Sequence, residues 1–141
     1  MRYDERAIAP FRAELTRIGF RELRTAGTVD AEIANKQGTN LLVVNSVCGC
    51  AARSARPGSV FSMLNGLVPD EYITVFAGME KEATQQAREY FEGAAPSSPQ
   101  AAILKDGQIL HLMQRVDFLG HSPEEIAARL EDAYRQALAT T

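Results

Sequence analysis

The sequence predicts an α/β domain in which a central mixed sheet lies between two layers of helices. Three observations carry that reading. Two apolar runs, at 41–45 and 72–77, each precede a helical segment, which is how parallel strands covered on both faces appear. Asp106-Gly107 separates two further apolar runs, at 101–104 and 109–113, and a two-residue loop of that composition closes a hairpin. At 141 residues the chain fits one domain, spanning 1–141, with a core that needs no staples.

From the N-terminus, Ile8, Phe11, Leu15 and Ile18 recur at helical spacing, with Arg12, Glu14 and Arg17 on the opposite face. Pro10 inside that pattern predicts a kink or a helix start near it, and Gly19 a stop. Residues 20–23 read as a short edge strand. Residues 28–36 predict a brief helix with Val29, Ile33 and Ala34 inward, ending near Gly38. The helix after the 41–45 strand runs toward Asn65, with Val60, Phe61 and Leu64 inward and a kink at Pro57. Residues 81–91 predict a helix with Ala83, Ala87, Tyr90 and Phe91 inward and Gly93 as its C-cap. Pro96-Ser97-Ser98-Pro99 is a loop before the hairpin. Ser122-Pro123-Glu124-Glu125 is a capping box with proline at the first helical position. The last helix then carries Ile126, Leu130, Tyr134 and Leu138. This order of elements is that of a thioredoxin-like three-layer sandwich with one extra N-terminal helix.

Val47-Cys48-Gly49-Cys50-Ala51 holds both cysteines of the chain, where strand gives way to helix. A thiol at a helix start faces the positive end of the helix dipole and unpaired backbone N–H groups, and both favour the thiolate. A second thiol two positions on can close a disulfide and release what the first has captured. Residues two apart on a helix point to nearly opposite sides, at about 100° per residue. A Cys48–Cys50 bond therefore distorts the first turn, and Gly49 makes that tolerable. The formal net charge of -3, with no long basic run, argues against nucleic acid as a partner. The charged start, Met1-Arg2-Tyr3-Asp4-Glu5-Arg6, does not suit a signal peptide, and no apolar stretch suits a bilayer, so no membrane partner and a reducing cytoplasm are expected. In that compartment a close cysteine pair is catalytic or metal-binding rather than a structural clamp.

The residues around the pair carry smaller expectations. Ser46 suits a helix cap better than a substrate contact. Arg53 and Arg56 can lower the Cys48 pKa, but long side chains on helix turns usually point into solvent. His111 alternates with Ile109 and Met113 as a packed strand residue. In thioredoxin-like domains a cis-proline stands just before the hairpin strand and packs against the active-site disulfide. By that likeness the Ser98–Pro99 bond is cis and Pro99 touches the cysteines. His121 sits in a loop that lies on the active-site side of such folds, and by fold analogy it is a candidate substrate contact.

The segment Asn45-Ser46-Val47-Cys48-Gly49-Cys50-Ala51-Ala52, followed by Ala55-Arg56-Pro57, resembles the active-site segment of the bacilliredoxins. Val75-Phe76-Ala77-Gly78 leading into Lys81-Glu82-Ala83-Thr84, the Pro96–Pro99 loop and Gly120-His121 also fit that family, so the resemblance covers nearly the whole chain. It implies a thioredoxin-like fold and an enzyme that removes bacillithiol from protein mixed disulfides. Cys48 would attack and Cys50 resolve. Gly49, Ser46 and Pro99 would support the site, and Ser98, Arg56 and His121 would meet substrate. No bound cofactor is expected; the low-molecular-weight thiol, bacillithiol or an equivalent, is a co-substrate. Partners would be S-thiolated client proteins and a recycling thiol or reductase, with the chain a monomer or weak homodimer. Three other readings stay open, the least developed being a non-catalytic thiol sensor that would show no turnover. Another is a protein disulfide isomerase or general oxidoreductase. The third is a dimeric metal-thiolate module drawing on both cysteines with His111 and His121.

Overall fold

Leu41 and Val43 bury their side chains on one face of the sheet, Leu42 and Val44 on the other, and all four are fully buried. That alternation is why the run has no polar face to show. Burying each such side chain is worth about 2 kcal/mol, so the strand commits the chain to two covering layers. The computed structural model describes residues 3–33, 38–49, 51–64, 69–91 and 94–139.

The elements are α1 (Glu5–Thr16), β1 (Arg21–Glu22), α2 (Ala26–Ile33), β2 (Thr39–Asn45), a π-helical turn (Ala51–Ala55) continuing into α3 (Arg56–Leu64), β3 (Glu71–Phe76), α4 (Lys81–Glu89), β4 (Gln100–Lys105), β5 (Gln108–Met113), α5 (Arg115–Phe118) and α6 (Pro123–Ala139). The sheet order is β1-β3-β2-β4-β5. β1 and β2 both run parallel to β3, while β4 is antiparallel to β2 and to β5. The mixed sheet between helix layers is therefore as the sequence predicts. One layer, with α1, α3, α5 and α6, packs Leu15, Phe118, Ile126 and Leu130 against Leu41, Val43 and Ile103. The other, with α2 and α4, packs Val29, Ile33, Ala83 and Ala87 against Leu42, Val44, Ile73 and Val75.

Local chemistry explains the boundaries. Asp4 caps α1 by accepting from the Arg6 N–H at 2.9 Å, so the helix starts ahead of Pro10 rather than at it. The missing Pro10 N–H leaves the Arg6 carbonyl without its intrahelical donor, at an exposed residue that water can serve. Asp106 and Gly107 both have positive φ, 50° and 81°, as the tight hairpin turn requires. Ser122 and Glu125 form the predicted capping box: the Ser122 N–H donates to Glu125 Oε1, and the Glu125 N–H to Ser122 Oγ.

Four features differ from the sequence reading. The helix after the cysteines opens with a π turn before α3. Pro57 lacks the N–H that an unbroken α-helix would use, and the wider turn precedes it. α5 has no counterpart in the sequence reading; its signal is the Gln114 N–H donating to the Asp117 carboxylate at 2.8 Å. His111 is exposed rather than packed, because β5 is the sheet edge and its register shifts opposite Ile103 and Leu104. Arg12, assigned to the polar face of α1, is buried. It makes a two-pronged pair with Glu80 at 2.7 Å on both arms, with Glu5 and Glu22 alongside. That pair fastens the extra helix to the segment after β3. Ala34, Lys36 and Gly93, and the side chains of Val60, Phe61, Leu64 and Leu138, for which the sequence carries expectations, lie outside the described residues.

Candidate active site

β2 ends at Asn45, which is buried and holds three neighbours. Its Oδ1 accepts from the Ser46 N–H at 2.8 Å and from Arg56 Nη1 at 2.9 Å, and its Nδ2 donates to the Phe11 carbonyl at 3.2 Å. Arg56, 1% exposed, also donates from Nη1 to the Ser46 carbonyl at 2.7 Å and from Nε to Glu14 at 2.9 Å. Its guanidinium lies 4.8 Å from the centre of the Phe11 ring. Burial pulls the Arg56 pKa down, and the charges of Glu14 and Cys48 work against that pull. The expectation that Arg56 points into solvent is thus corrected, and so is its assignment to substrate contact. A planar five-donor fork suits a loop with several carbonyl-type acceptors, and here it fixes the backbone leading into Cys48.

Cys48 opens the helical turn. Its carbonyl accepts from the N–H groups of Ala51 and Ala52 at 3.1 and 3.2 Å. Cys48 is half-buried and Gly49 beside it is exposed. Ser46 Oγ donates to Cys48 Sγ at 3.2 Å and lies 3.4 Å from the Cys48 N–H as its acceptor. Ser46 is therefore not the helix cap that the sequence suggests. It makes a two-residue turn of its own and turns its hydroxyl to the sulfur. The Ser98 carbonyl lies 3.7 Å from Sγ and accepts from the thiol. The hydroxyl favours the thiolate, whereas the carbonyl favours the thiol. The Ser98–Pro99 bond is cis, as its place before the hairpin strand predicts, and Pro99 is buried.

Ser46→Ala tests the hydroxyl. Without that donor the thiolate loses a stabilising hydrogen bond, so the midpoint of Cys48 alkylation against pH should move up and the rate at neutral pH should fall. An unchanged midpoint would remove Ser46 from the chemistry.

His121 lies against the turn that follows the cysteines, on the side of the fold where the sequence reading puts its loop. Its carbonyl accepts from Ser54 Oγ in the π turn at 2.7 Å. Its imidazole bridges Glu125 at 3.1 Å and Arg129 at 3.2 Å. Arginine only donates, so Nε2 accepts and Nδ1 carries the proton toward Glu125. The hydrogen bond from His121 holds the Glu125 carboxyl below its usual range. The His121 carbonyl thus braces the π turn, while both ring nitrogens are engaged on α6. Cys50 and the Arg53 side chain lie outside the described residues. Among the described residues, no group of three or more His, Cys, Asp or Glu side chains could hold a metal ion. Asn45 and Glu14 were missed as site residues. The signal for Asn45 was a lone amide closing an apolar strand just before the cysteines.

Two thioredoxins share this architecture. Thioredoxin f2 of Chlamydomonas reinhardtii matches with a TM-score of 0.57 at 12% identity, covering 84% of this chain and 96% of that one. The thioredoxin of Fasciola hepatica matches with a TM-score of 0.54 at 16% identity, covering 83% and 98%. The fold class is thus thioredoxin-like. The sequence comparisons are narrower. A family described as disulphide isomerase matches residues 3–137. A bacilliredoxin of Koribacter versatilis is 45% identical over 139 residues, covering 99% of this chain and 96% of its own. A bacilliredoxin of Shouchella clausii is 45% identical over 134 residues, covering 95% and 92%. The chain belongs to the bacilliredoxin family and is a thiol–disulfide oxidoreductase.

Proposed function

We propose that the protein reduces mixed disulfides between client proteins and a low-molecular-weight thiol such as bacillithiol. The observation that carries this reading is half-buried Cys48 at the head of a helical turn, with the Ser46 hydroxyl and the Ser98 carbonyl on its sulfur. The Cys48 thiolate attacks the small thiol's sulfur, and the client leaves as its thiolate, which takes up a proton. The Cys50 thiolate then attacks Cys48, the small thiol leaves, and a Cys48–Cys50 disulfide remains. An external thiol or reductase supplies the two electrons that restore the pair. The Ser98 carbonyl, one bond from the cis-proline, lies close enough to orient the incoming disulfide. No helix among the described residues is long and apolar enough to cross a membrane. We place the reaction in a reducing compartment, where small-thiol adducts are turned over.

A second reading, protein disulfide isomerase, is favoured by the description of the matching family. One experiment separates them. The reduced protein is given a client carrying a small thiol as its mixed disulfide and, in parallel, a protein with scrambled disulfides. Faster turnover of the mixed disulfide supports the proposal. Efficient repair of the scrambled protein with slow release of the small thiol favours isomerase activity.

A further inference from the structure

Arg88 is half-buried and has no carboxylate partner among the described residues. Its Nε donates to Gln100 at 3.0 Å and its Nη2 to the Ser97 carbonyl at 2.5 Å, both neutral acceptors. Burial lowers its pKa with no opposing charge. A guanidinium partly withdrawn from water and held only by neutral acceptors has its charge uncompensated by protein, which leaves room for an anion that joins it from outside. The space for that anion is present. Arg88 lines a cavity of about 650 Å³ between α4 and the 94–97 segment, together with Lys81, Thr84, Gly78 and Pro96. Lys81 is exposed, with no ion pair among the described residues. Thr84 is 3% exposed, and its Oγ1 has no hydrogen-bond partner there. Glu89, also on the wall, is exposed and is the one carboxylate lining the cavity among the described residues.

Through Arg88 the cavity is joined to the site by the backbone before the cis-proline. Ser97 accepts from Arg88, and the next carbonyl, that of Ser98, is at the Cys48 sulfur. Two residues of chain thus separate the guanidinium from the reacting atom. At about 3.8 Å per residue that path bounds the separation at on the order of 10 Å, within reach of a small peptide-like thiol. Resting on the exchange reading above, we propose that this cavity is a carboxylate-binding subsite. Arg88 and Lys81 hold the acidic part of the small thiol there while its sulfur reaches Cys48. The ligand class is an anionic low-molecular-weight thiol rather than a neutral one.

The test compares two substrates on one client peptide: its mixed disulfide with glutathione, and its mixed disulfide with glutathione diethyl ester. The expected result is a kcat/KM about tenfold higher for the acid, the effect of one good charge-assisted contact. In Lys81→Gln that preference should fall below threefold. Lys81 is chosen because Arg88 also holds Ser97 and Gln100, and its loss can loosen the loop; Arg88→Lys serves as the second variant and should likewise lower the preference. Titration of isotope-labelled protein with S-methylglutathione, which cannot exchange, should shift the amides of Lys81, Thr84 and Arg88. Equal rates for acid and ester, with no shifts at those amides, overturn the subsite and leave the exchange reading standing. Shifts there with no turnover of either disulfide support the subsite and overturn the exchange reading. Rates that follow carboxylates on the client peptide, with acid and ester equal, also overturn the subsite.

Discussion

Cys48→Ser is expected to abolish exchange, while Cys50→Ala should stop it halfway. The asymmetry is chemical. The first step needs a thiolate at the exposed end of the helical turn, and a serine hydroxyl is far too weak an acid to stand in. The fall in rate should be about a thousandfold or more. The second step needs only some thiol to attack the Cys48 adduct. Cys50→Ala should therefore accept one equivalent of small thiol and stall, with the added mass on the peptide carrying Cys48. Excess bacillithiol or another small thiol should restore part of its turnover. Mass spectrometry of the product reads both outcomes. Full activity in Cys48→Ser, or an adduct on Cys50 in the chain lacking Cys48, would sink the mechanism while leaving the fold intact.

Arg56→Met carries the next largest effect. The substitution keeps the aliphatic volume but leaves the Asn45 side-chain oxygen and the Ser46 carbonyl without their buried donor. Glu14 loses its partner as well, though its side chain is 44% exposed and water takes up much of that loss. The expected cost is about 3 kcal/mol of folding stability, seen as a drop of roughly 10 °C in Tm. A purely structural residue would do no more than that. Arg56 should also move the pH midpoint of Cys48 alkylation upward when removed, since its positive charge acts on the Cys48 sulfur. Arg56→Lys should keep much of the charge effect and lose most of the stability, because a single ammonium cannot serve three acceptors in one plane. Wild-type Tm and an unmoved midpoint in Arg56→Met would show that the loop into Cys48 is held by something else.

The two effects separate what the N-terminal helix does. Phe11 and Glu14 on α1 reach the loop before Cys48 through Asn45 and Arg56. Arg12 on the same helix reaches Glu80, just before α4. The helix added to the thioredoxin-like order therefore clasps both segments that leave the C-terminal ends of β2 and β3, where the site is built.

Much of this was legible in the sequence because the signals are local. The double-faced burial of β2 follows from an unbroken apolar run. The hairpin follows from Asp106-Gly107, whose backbone must adopt positive φ, and the start of α6 from Ser122 and Glu125 bonding to each other's N–H groups. The strand-to-helix position of Cys48 follows from the same run ending at Asn45. The roles of the charged residues were not legible. Arg12 and Arg56 sit at positions the sequence reading assigns to solvent, and only the docking of α1 against the loops after β2 and β3 buries them, while Glu14 keeps its exposure and pairs with Arg56. A long cationic side chain is stable in either place, and what decides is whether carboxylates and carbonyls from distant segments converge on it. Glu80 is 68 residues from Arg12, and Glu14 is 42 from Arg56. Periodicity over a few turns carries no information about such partners. The sequence by itself thus determined the layers, the turns and the place of the nucleophile, all of which depend on neighbours a few residues apart. The tertiary structure alone decided which cations are buried, and that half-buried Arg88 meets no carboxylate among the described residues, because those depend on what long-range packing brings together.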